Sequence, residues 1–447
     1  MMYGCIRASL VVGATALVAV SCANRGQGQQ DSLIGGGTPG GGSSGGGLGG
    51  SDDGSTGFGG GGDGSNGIVI PEGGGAGDAC QHFDVQALPR IPLVFVLVDR
   101  SGSMFTTINS PDGGASNEWD PLRAATLAVI QGLQSQVAFG FTAYTGINPN
   151  TTPGMCPILQ PQPAMLPIAL GNGSAIAAAY PPASAAQPTF KAETPAQKSL
   201  EVVGQTLQQA TLAGDAGGGG QPGGKYILFV TDGETDFCDD GNPVCPADAV
   251  VAELEKLHGQ GIQTLVLGVG SNQSNISVPV LQSFANAGAG VTPLAPPSSA
   301  QGMPLLPGDI YNQCNSVAGW SQLWSAAGLS AGQALGTYAS AAPAQNATVY
   351  SPNATDVTDL TNQIAAALNT VKSCAFDLQG KIKVDLAHAD KGKVSINGTP
   401  VPYDATNGWT MASATEIDLV GSACQTWRAT GTDISFDFPC DVIIVLQ

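Results

Sequence analysis

Residues 93–98 form an uninterrupted apolar run, LVFVLV, which ends abruptly in a polar segment that contains Asp99, Ser101 and Ser103. An apolar run without alternation is typical of a parallel strand that helices cover on both faces. Residues 225–231, KYILFVT, form a similar run that is followed by Asp232. Because ligands of open α/β sheets bind outside the carboxyl ends of the strands, these two strand ends are where we expect a site.

Other segments alternate between strand and helix patterns. Apolar runs predict strands at residues 137–144, 262–270 and 347–351, and helical spacing predicts helices at residues 119–136, 247–258, 278–288 and 356–373. A further helix should begin at Thr194-Pro195, because proline is tolerated at the first helical position. This alternation predicts an α/β fold with a doubly wound, mainly parallel sheet.

The last part of the chain, residues 374–447, has a different character. Short alternating runs such as KIKVDL, KVSI, TEIDLV and DISFDF are separated by turn signals, among them Asn397-Gly398. This pattern predicts a small, mostly β domain. The preceding residues, 80–373, are expected to form the α/β domain, with two insertions near residues 146–191 and 296–345.

The N-terminus predicts export from the cell. Arg7 precedes an apolar stretch, residues 8–20, which is too short for a stable spanning helix and is typical of a secretory signal. The stretch LVAVSC resembles the lipobox of bacterial lipoproteins, which implies a signal peptide at residues 1–22 and lipidation of Cys22. Cleavage after Ala23, which would give a secreted or periplasmic protein, is the alternative. The glycine-rich residues 23–79 bury too little apolar area to offset their ordering entropy, and we expect a disordered tether.

The charge of the chain limits its partners. The net charge of −19 argues against a nucleic-acid partner, because nucleic acids require a basic surface. An acidic surface instead favours cations, basic partners or solubility.

Cysteine usage agrees with export. Apart from Cys5 and Cys22, eight of the ten cysteines remain, and an even number in an exported chain predicts disulfide bonds. Close spacing favours Cys238 with Cys245 and Cys424 with Cys440, although spacing alone does not fix the connectivity. A zinc site is disfavoured because no histidine lies near a cysteine pair.

Two carboxylates and three hydroxyls are expected at the carboxyl edge of the sheet: Asp99, Ser101, Ser103, Thr194 and Asp232. Oxygen ligands suit hard divalent cations such as Mg²⁺ and Ca²⁺. Neutral hydroxyls coordinate an ion without cancelling its charge, so the ion can still attract an acidic group from another molecule. The sheet would hold the ligands rigidly while the ion faces solvent.

The segments DRSGSM, ETPAQKSL and VTDGE together resemble the metal-ion-dependent adhesion site, DxSxS…T…D, of von Willebrand factor type A (VWA) domains. The resemblance covers roughly residues 90–373, and LQSFANAGAG is similar to a later helix of that family. It implies a VWA or Rossmann-like fold and a site for Mg²⁺, with Mn²⁺ or Ca²⁺ as alternatives. The ligands that it implies are Asp99, Ser101, Ser103, Thr194 and Asp232. The residue matching Asp232 would act through water, and an acidic side chain of a partner protein would complete the coordination.

Some assignments stay open at this point. Thr189 is the alternative to Thr194, because a long insertion precedes both residues. Four acidic residues follow Asp232, namely Glu234, Asp236, Asp239 and Asp240. They form either a second cation site or a solvated, disulfide-closed loop. Residues 118–120 (Glu118, Trp119 and Asp120) mark a helix start, with a role at the rim of the site as the alternative.

The expected function is metal-dependent protein binding or adhesion by an outer-membrane or cell-surface lipoprotein, without catalytic turnover. The order of signal, tether, domain and SCAFDL tail resembles VWA-containing lipoproteins of Gram-negative bacteria. The alternative is a structural or envelope-assembly component in which the metal only stabilises the fold. A hydrolase is disfavoured because no general base is identifiable beside the site, and the three histidines, His82, His258 and His388, are scattered. A phosphotransferase would need a second aspartate where Ser101 stands.

Overall fold

The computed structural model describes residues 83–85, 87–109, 115–148, 155–162, 165–212, 222–238, 242–270, 278–298, 302–378, 382–430 and 433–445. The predicted signal peptide, the lipidation site Cys22 and the glycine-rich tether lie outside these residues. In the described ranges, no helix is both long enough and apolar enough to cross a membrane.

The strands are β1 (Phe83–Val85), β2 (Leu88–Pro89), β3 (Ile91–Asp99), β4 (Ile108–Asn109), β5 (Ala115–Ser116), β6 (Ala138–Thr145), β7 (Ile158–Gln160), β8 (Leu166–Ala169), β9 (Pro222–Thr231), β10 (Ile262–Gly268), β11 (Val349–Tyr350), β12 (Ala375–Asp377), β13 (Ile382–Val384), β14 (Lys393–Ile396), β15 (Thr399–Val401), β16 (Trp409–Ser413), β17 (Glu416–Leu419), β18 (Ile434–Phe438) and β19 (Ile443–Val445). The α-helices are α1 (Trp119–Leu133), α2 (Gly173–Ala179), α3 (Ala183–Ala186), α4 (Ala196–Gln209), α5 (Val244–Gly259), α6 (Val278–Gly288), α7 (Pro307–Cys314), α8 (Ala318–Ala326), α9 (Val357–Asn369) and α10 (Gly421–Thr430).

The central sheet has the strand order β11-β10-β9-β3-β6-β7, and β8 also pairs with β6. The strands from β11 to β6 in that order are parallel, whereas β7 and β8 run antiparallel to β6. Helices cover both faces, so the molecule has the predicted doubly wound α/β fold of the VWA or Rossmann-like class. The chain passes from β3 to β6 on one side and later enters β9 on the other, so the strand order reverses between β3 and β9.

The position of β3 explains its apolar sequence. All nine of its residues are buried. Val94 and Val96 face a core that contains residues of α1 and α9. Phe95 and Leu97 face a second core on the other side of the sheet, with residues of α4, α5 and α6. A strand with a core on each face has no solvent-facing position, and its sequence therefore shows no alternation.

The C-terminal region is β-rich, as predicted, but it is not formed by C-terminal residues alone. Its two four-stranded sheets have the orders β1-β18-β14-β15 and β16-β17-β12-β2, and β13 pairs with β19. Thus β1 and β2, which precede β3 in the chain, pair with strands of this region. The helix α10 was not predicted; it buries Ala423 and Trp427, and the Trp427 indole donates to the Ser373 carbonyl oxygen at 2.9 Å.

The first insertion extends the sheet and then docks on α1. It contributes β7 and β8 to the sheet edge, followed by α2 and α3. The Trp119 indole N–H donates to the Pro181 carbonyl oxygen at 2.8 Å, and the Asp120 carboxylate accepts from the Ala183 backbone N–H at 2.8 Å. Trp119 and Asp120 therefore begin a helix, as the sequence predicts, and also hold this insertion.

The second insertion packs on α5 through a small core of its own. Trp320, Ile310 and Cys314 are fully buried there together with Cys245. Asp248 of α5 is also fully buried and accepts four hydrogen bonds from the insertion. The donors are the Trp320 indole (2.6 Å), the Tyr338 hydroxyl (2.6 Å) and the backbone N–H groups of Leu335 (2.9 Å) and Gly336 (3.0 Å). One carboxylate thus fixes two separate parts of the insertion to the helix.

Candidate metal centre

The candidate site lies where β3 and β9 end side by side. Val98 of β3 pairs with Val230 of β9 in parallel register, so Asp99 and Asp232 follow at the same edge of the sheet. This edge is also where the strand order reverses, which opens a crevice between the two strand ends. The two carboxylates are therefore brought together by the register of the sheet.

Asp99 is held by three hydrogen-bond donors around its carboxylate. One oxygen, Oδ1, accepts from the Ser101 backbone N–H at 2.8 Å. The other, Oδ2, accepts from the Tyr144 and Thr231 hydroxyls, each at 3.2 Å. Tyr144 lies next to the last residue of β6, directly opposite Asp99, and Thr231 ends β9. Three neighbouring strands thus fix the orientation of this carboxylate.

The two serines connect Asp99 to Asp232. The Ser101 and Ser103 hydroxyls lie 2.9 Å apart, and the Ser103 hydroxyl donates to Oδ2 of Asp232. Behind them, Met104 and Phe105 are buried, and Phe105 packs against Trp119 with ring centroids 5.0 Å apart. The buried side chains anchor the loop from beneath.

Access to this group is from one side. Asp99, Ser101 and Asp232 are at most 9% exposed, whereas Ser103 is exposed. Arg100 turns away from the site, because its Nε donates to the Ala186 carbonyl oxygen of the first insertion at 2.7 Å. The exposed edge of the site is therefore lined by the Ser103 hydroxyl rather than by the Arg100 guanidinium.

Thr194 lies beside the loop that follows Asp232, and Pro195 separates it from the start of α4. It is 7% exposed, whereas its alternative, Thr189, is exposed. Its backbone N–H donates to Asp236 Oδ2 at 2.8 Å, and its carbonyl oxygen accepts from the Asp236 N–H at 3.0 Å. The structure thus brings Thr194 next to the segment that carries Asp232, and its role as a ligand stays a prediction.

The electrostatics of the site are those of paired buried acids. Burial raises the pKa of Asp99 well above its ordinary value, and the Asp232 carboxylate raises it further. Burial also raises the pKa of Asp232 to about 6. The Ser103 hydroxyl and the Glu234 backbone N–H oppose that shift in the Asp232 pKa. The Glu118 and Glu234 carboxylates add to it.

This donor set fits a hard divalent cation. Two buried carboxylates that repel each other are costly unless a positive charge lies between them. The hydroxyls beside them supply neutral oxygen ligands of the kind that Mg²⁺ and Ca²⁺ accept. In the described part of the chain, no cluster of three or more His, Cys, Asp or Glu side chains offers a different kind of metal site.

The acidic residues after Asp232 do not share one environment. The Asp236 carboxylate accepts hydrogen bonds from the backbone N–H groups of Thr194 and Cys238, and burial raises its pKa to about 6. Glu234 is exposed. Asp239 and Asp240 lie outside the described residues, so the choice between a second cation site and a solvated loop stays open for them.

The predicted disulfide pairings are wrong. Cys238 is bonded to Cys156, and Cys245 to Cys314. Cys424 is bonded to Cys374, and Cys440 is disulfide-bonded as well. Pairing by closeness in sequence fails because both insertions fold back onto the loop after β9 and onto α5. Each of Cys238 and Cys245 therefore bonds to a different insertion rather than to its near neighbour.

Comparison with known proteins gives structural likenesses at low identity. No protein-family model and no curated protein sequence matches the chain. Among solved structures, the pilus adhesin SpaC from Lactobacillus rhamnosus GG is 13% identical, with a TM-score of 0.37, over 83% of this chain and 44% of that one. Proximal thread matrix protein 1 from the mussel byssus, with a zinc-occupied MIDAS motif, is 14% identical, with a TM-score of 0.26, over 44% of this chain and 42% of that one. The SpRpn10 VWA domain is 11% identical, with a TM-score of 0.29, over 51% of this chain and 95% of that one.

The chain thus spans less than half the length of the first two of these proteins. At such identities and TM-scores, the likenesses carry no conclusion about activity. The assignment of the fold rests on the strand order and the helical layers described above.

Tyr144 and Thr231 were not among the residues predicted from the sequence, and Asp236 was predicted only as one acid of a second cation site or a solvated loop. The first two lie opposite or beside Asp99 once the strand order is known, so their position at strand ends was a usable signal. Asp236 offered no such signal, because its bonds depend on how a distant loop approaches it.

Proposed function

We propose that the chain is a metal-dependent protein-binding module. A divalent cation, with Mg²⁺ preferred and Mn²⁺ or Ca²⁺ as alternatives, would be held by Asp99, Ser101, Ser103, Thr194 and Asp232. The bound cation would supply a positive charge that attracts a carboxylate. The observation that carries the proposal is the contact between Ser103 and Asp232, which joins hydroxyls and carboxylates from two strand ends at one exposed edge.

The partner in this proposal is a protein that offers an acidic side chain to the cation. The open side of the site at Ser103 supports it, because a ligand could approach there without moving the buried Asp99 and Ser101. The surrounding acidic charge would otherwise repel a carboxylate, so binding should depend strictly on the metal.

Binding without turnover is part of the proposal. The hydroxyls and backbone N–H groups that bond to Asp99 and Asp232 are poor general bases at neutral pH, and in this proposal the two carboxylates are occupied as metal ligands. The two described histidines contact groups elsewhere: His258 packs against Gly290, and His388 lies 2.7 Å from Asp385.

We further propose that the protein is exported and anchored to a membrane through Cys22, or secreted if cleavage follows Ala23. The disulfide bonds support export, because such bonds persist in oxidising compartments. A lipid at Cys22 would attach the chain to a membrane surface, and the tether would let the binding module reach away from it.

The test is capture from a cell-envelope fraction by the immobilised chain in Mg²⁺ and in excess EDTA. Asp99→Ala removes a predicted ligand, and Asp309→Ala is the matched control, because Asp309 is an exposed acid on α7. We expect a set of proteins that EDTA and Asp99→Ala both release and that Asp309→Ala retains. Identical captured sets in all samples, with the metal verified as absent after chelation, would contradict the proposal. Loss of thermal stability on chelation with no captured protein would favour the structural alternative.

A further inference from the structure

Thr194 is the one predicted ligand that lies outside β3, β9 and the segments that directly follow them. A loop ligand contributes to a metal site only if its backbone is held in place, because ordering it on binding costs conformational entropy. The structure shows two sets of bonds around Thr194 that meet this need.

The first set connects the Thr194 segment to the end of β6. Glu193 and Gly146 form a short antiparallel bridge, in which Gly146 N–H donates to Glu193 O at 3.1 Å and Glu193 N–H donates to Gly146 O at 2.9 Å. The Thr145 hydroxyl adds a bond to the Glu193 carbonyl oxygen at 3.3 Å. These contacts fix the residue before Thr194.

The second set comes from Asp236 and involves Thr194 itself. Asp236 accepts from the Thr194 N–H through Oδ2 (2.8 Å) and donates its own N–H to the Thr194 carbonyl (3.0 Å). Its other oxygen, Oδ1, accepts from the Cys238 N–H at 2.7 Å. Oδ2 and the backbone N–H of Asp236 therefore join the Thr194 loop to the loop that carries Asp232, while Oδ1 fixes the Asp236 side chain within its own loop.

A disulfide bond closes the same arrangement. Cys238 is bonded to Cys156 of the first insertion and packs on Gly146, where an added Cβ would collide with the Cys238 sulfur. Cys238 also has a positive φ of 67°, an unusual conformation for a residue other than glycine. The loop after β9 is thus fixed at its start by the end of β9 and at Cys238 by the disulfide bond, and Asp236 lies between these two positions.

We propose that Asp236 is a positioning residue that fixes Thr194 for metal binding. This inference rests on the proposed cation site and adds to it a residue that does not itself bind the ion. Groups that orient metal ligands commonly change metal affinity about tenfold or more when they are replaced. Asp236→Asn should have such an effect, because its amide nitrogen cannot accept a hydrogen bond and one of the two backbone donors loses its acceptor.

The experiment is isothermal titration of the full chain with Mg²⁺, in the form of a double-mutant cycle with Asp236→Asn and Thr194→Ala. Each single variant should weaken the affinity for Mg²⁺ about tenfold or more. Asp236→Asn should have no further effect when Thr194 is already alanine, because its influence passes through Thr194. The control is Asp404→Asn, since Asp404 also accepts from two backbone N–H groups, those of Thr406 and Asn407, far from the site along the chain.

The outcomes are separable. If the wild-type chain binds Mg²⁺ and Asp236→Asn binds it equally well, the positioning role is wrong while the metal site stands. If Asp236→Asn weakens binding as much in the Thr194→Ala chain as in the wild type, Asp236 acts by another route and the inference is again wrong. If the wild-type chain binds no divalent cation, the proposed function itself fails. Should Asp236→Asn not fold, Asp236→Ser, whose hydroxyl can accept one backbone bond, replaces it in the cycle.

Discussion

The Ser103 hydroxyl donates a hydrogen bond to the Asp232 carboxylate, although 129 positions separate the two residues in the chain. Their meeting follows from the parallel pairing of β3 with β9, which ends both strands at one edge of the sheet. The sheet therefore fixes the spacing of the predicted ligands, and the loops after the strands need to provide only their final orientation.

Asp99→Asn should distinguish the destabilisation caused by burying the Asp99 charge from the stabilisation that Asp99 gives by binding the metal. The asparagine can still accept from the Ser101 N–H, and the buried negative charge is removed, so the metal-free variant should unfold at a temperature no lower than the metal-free wild type. Saturating Mg²⁺ should stabilise the wild type, by about 2.7 kcal/mol at one hundred times the dissociation constant, and should not stabilise the variant. Thermal unfolding in Mg²⁺ and in EDTA measures both effects. Equal stabilisation of the two proteins by Mg²⁺ would show that Asp99 is not a ligand.

Asp248→Ala should loosen the second insertion. The substitution leaves four donors of the insertion without their acceptor, and we expect a loss of about 3 kcal/mol or more in the free energy of unfolding. Urea unfolding measures the loss, and hydrogen exchange should increase at Leu335 and Gly336. Asp309→Ala in the same insertion is the control, because Asp309 is exposed and its replacement should have little effect. A variant as stable as this control would refute the anchoring role of Asp248.

Glu255 should make the stability of the chain fall as pH rises. Burial raises the pKa of Glu255 from 4.5 to about 7, although its carboxylate accepts from the Thr337 backbone N–H. Between pH 4.5 and 7 the folded state therefore binds more protons at this group than the unfolded state does, so the contribution is largest below pH 4.5 and is lost as pH rises through 7. Glu255→Gln should remove this part of the profile. The measurement is the difference between the two free-energy profiles of unfolding from pH 4 to 8; parallel profiles would contradict the assignment.

The disulfide between Cys245 and Cys314 should be a major source of stability for the second insertion. It closes a loop with a sequence separation of 69, for which a chain-entropy argument gives about 4 kcal/mol. Replacing both cysteines with alanine should lower the free energy of unfolding by up to that amount. Mass spectrometry of a non-reduced digest checks the pairing itself: a peptide that joins Cys238 to Cys245 would contradict the structure, whereas Cys156–Cys238 and Cys245–Cys314 peptides would agree with it.

The parts of the fold that follow from local pattern could be predicted. The uninterrupted apolar run of β3 predicts a strand covered on both faces. The polar residues that end it, Asp99, Ser101 and Ser103, predict a ligand site at that end of the strand. Asn397 and Gly398 have positive φ angles and form the turn between β14 and β15, as their sequence indicates.

The parts that depend on long-range contacts could not be predicted. Sequence spacing suggested that Cys238 pairs with Cys245, but their partners lie in the two insertions. No periodic pattern in the sequence shows where an insertion packs against the rest of the chain. For the same reason, neither the pairing of β1 and β2 with C-terminal strands nor the two-sided contact between Asp236 and Thr194 was visible in the sequence. Asp236 looked like one acid in a solvated loop, whereas its carboxylate is used to hold the backbone.

Titration of the full chain with Mg²⁺, followed by calorimetry, tests the cation site most directly when the wild type is compared with Asp99→Asn. We expect one bound cation per wild-type chain and none at the same site in the variant. Mn²⁺, measured by the loss of its free-ion electron paramagnetic resonance signal, should give the same stoichiometry. A wild-type chain that binds neither ion, or a variant that binds them as tightly as the wild type, would show that the five residues do not form one divalent cation site: Asp99, Ser101, Ser103, Thr194 and Asp232.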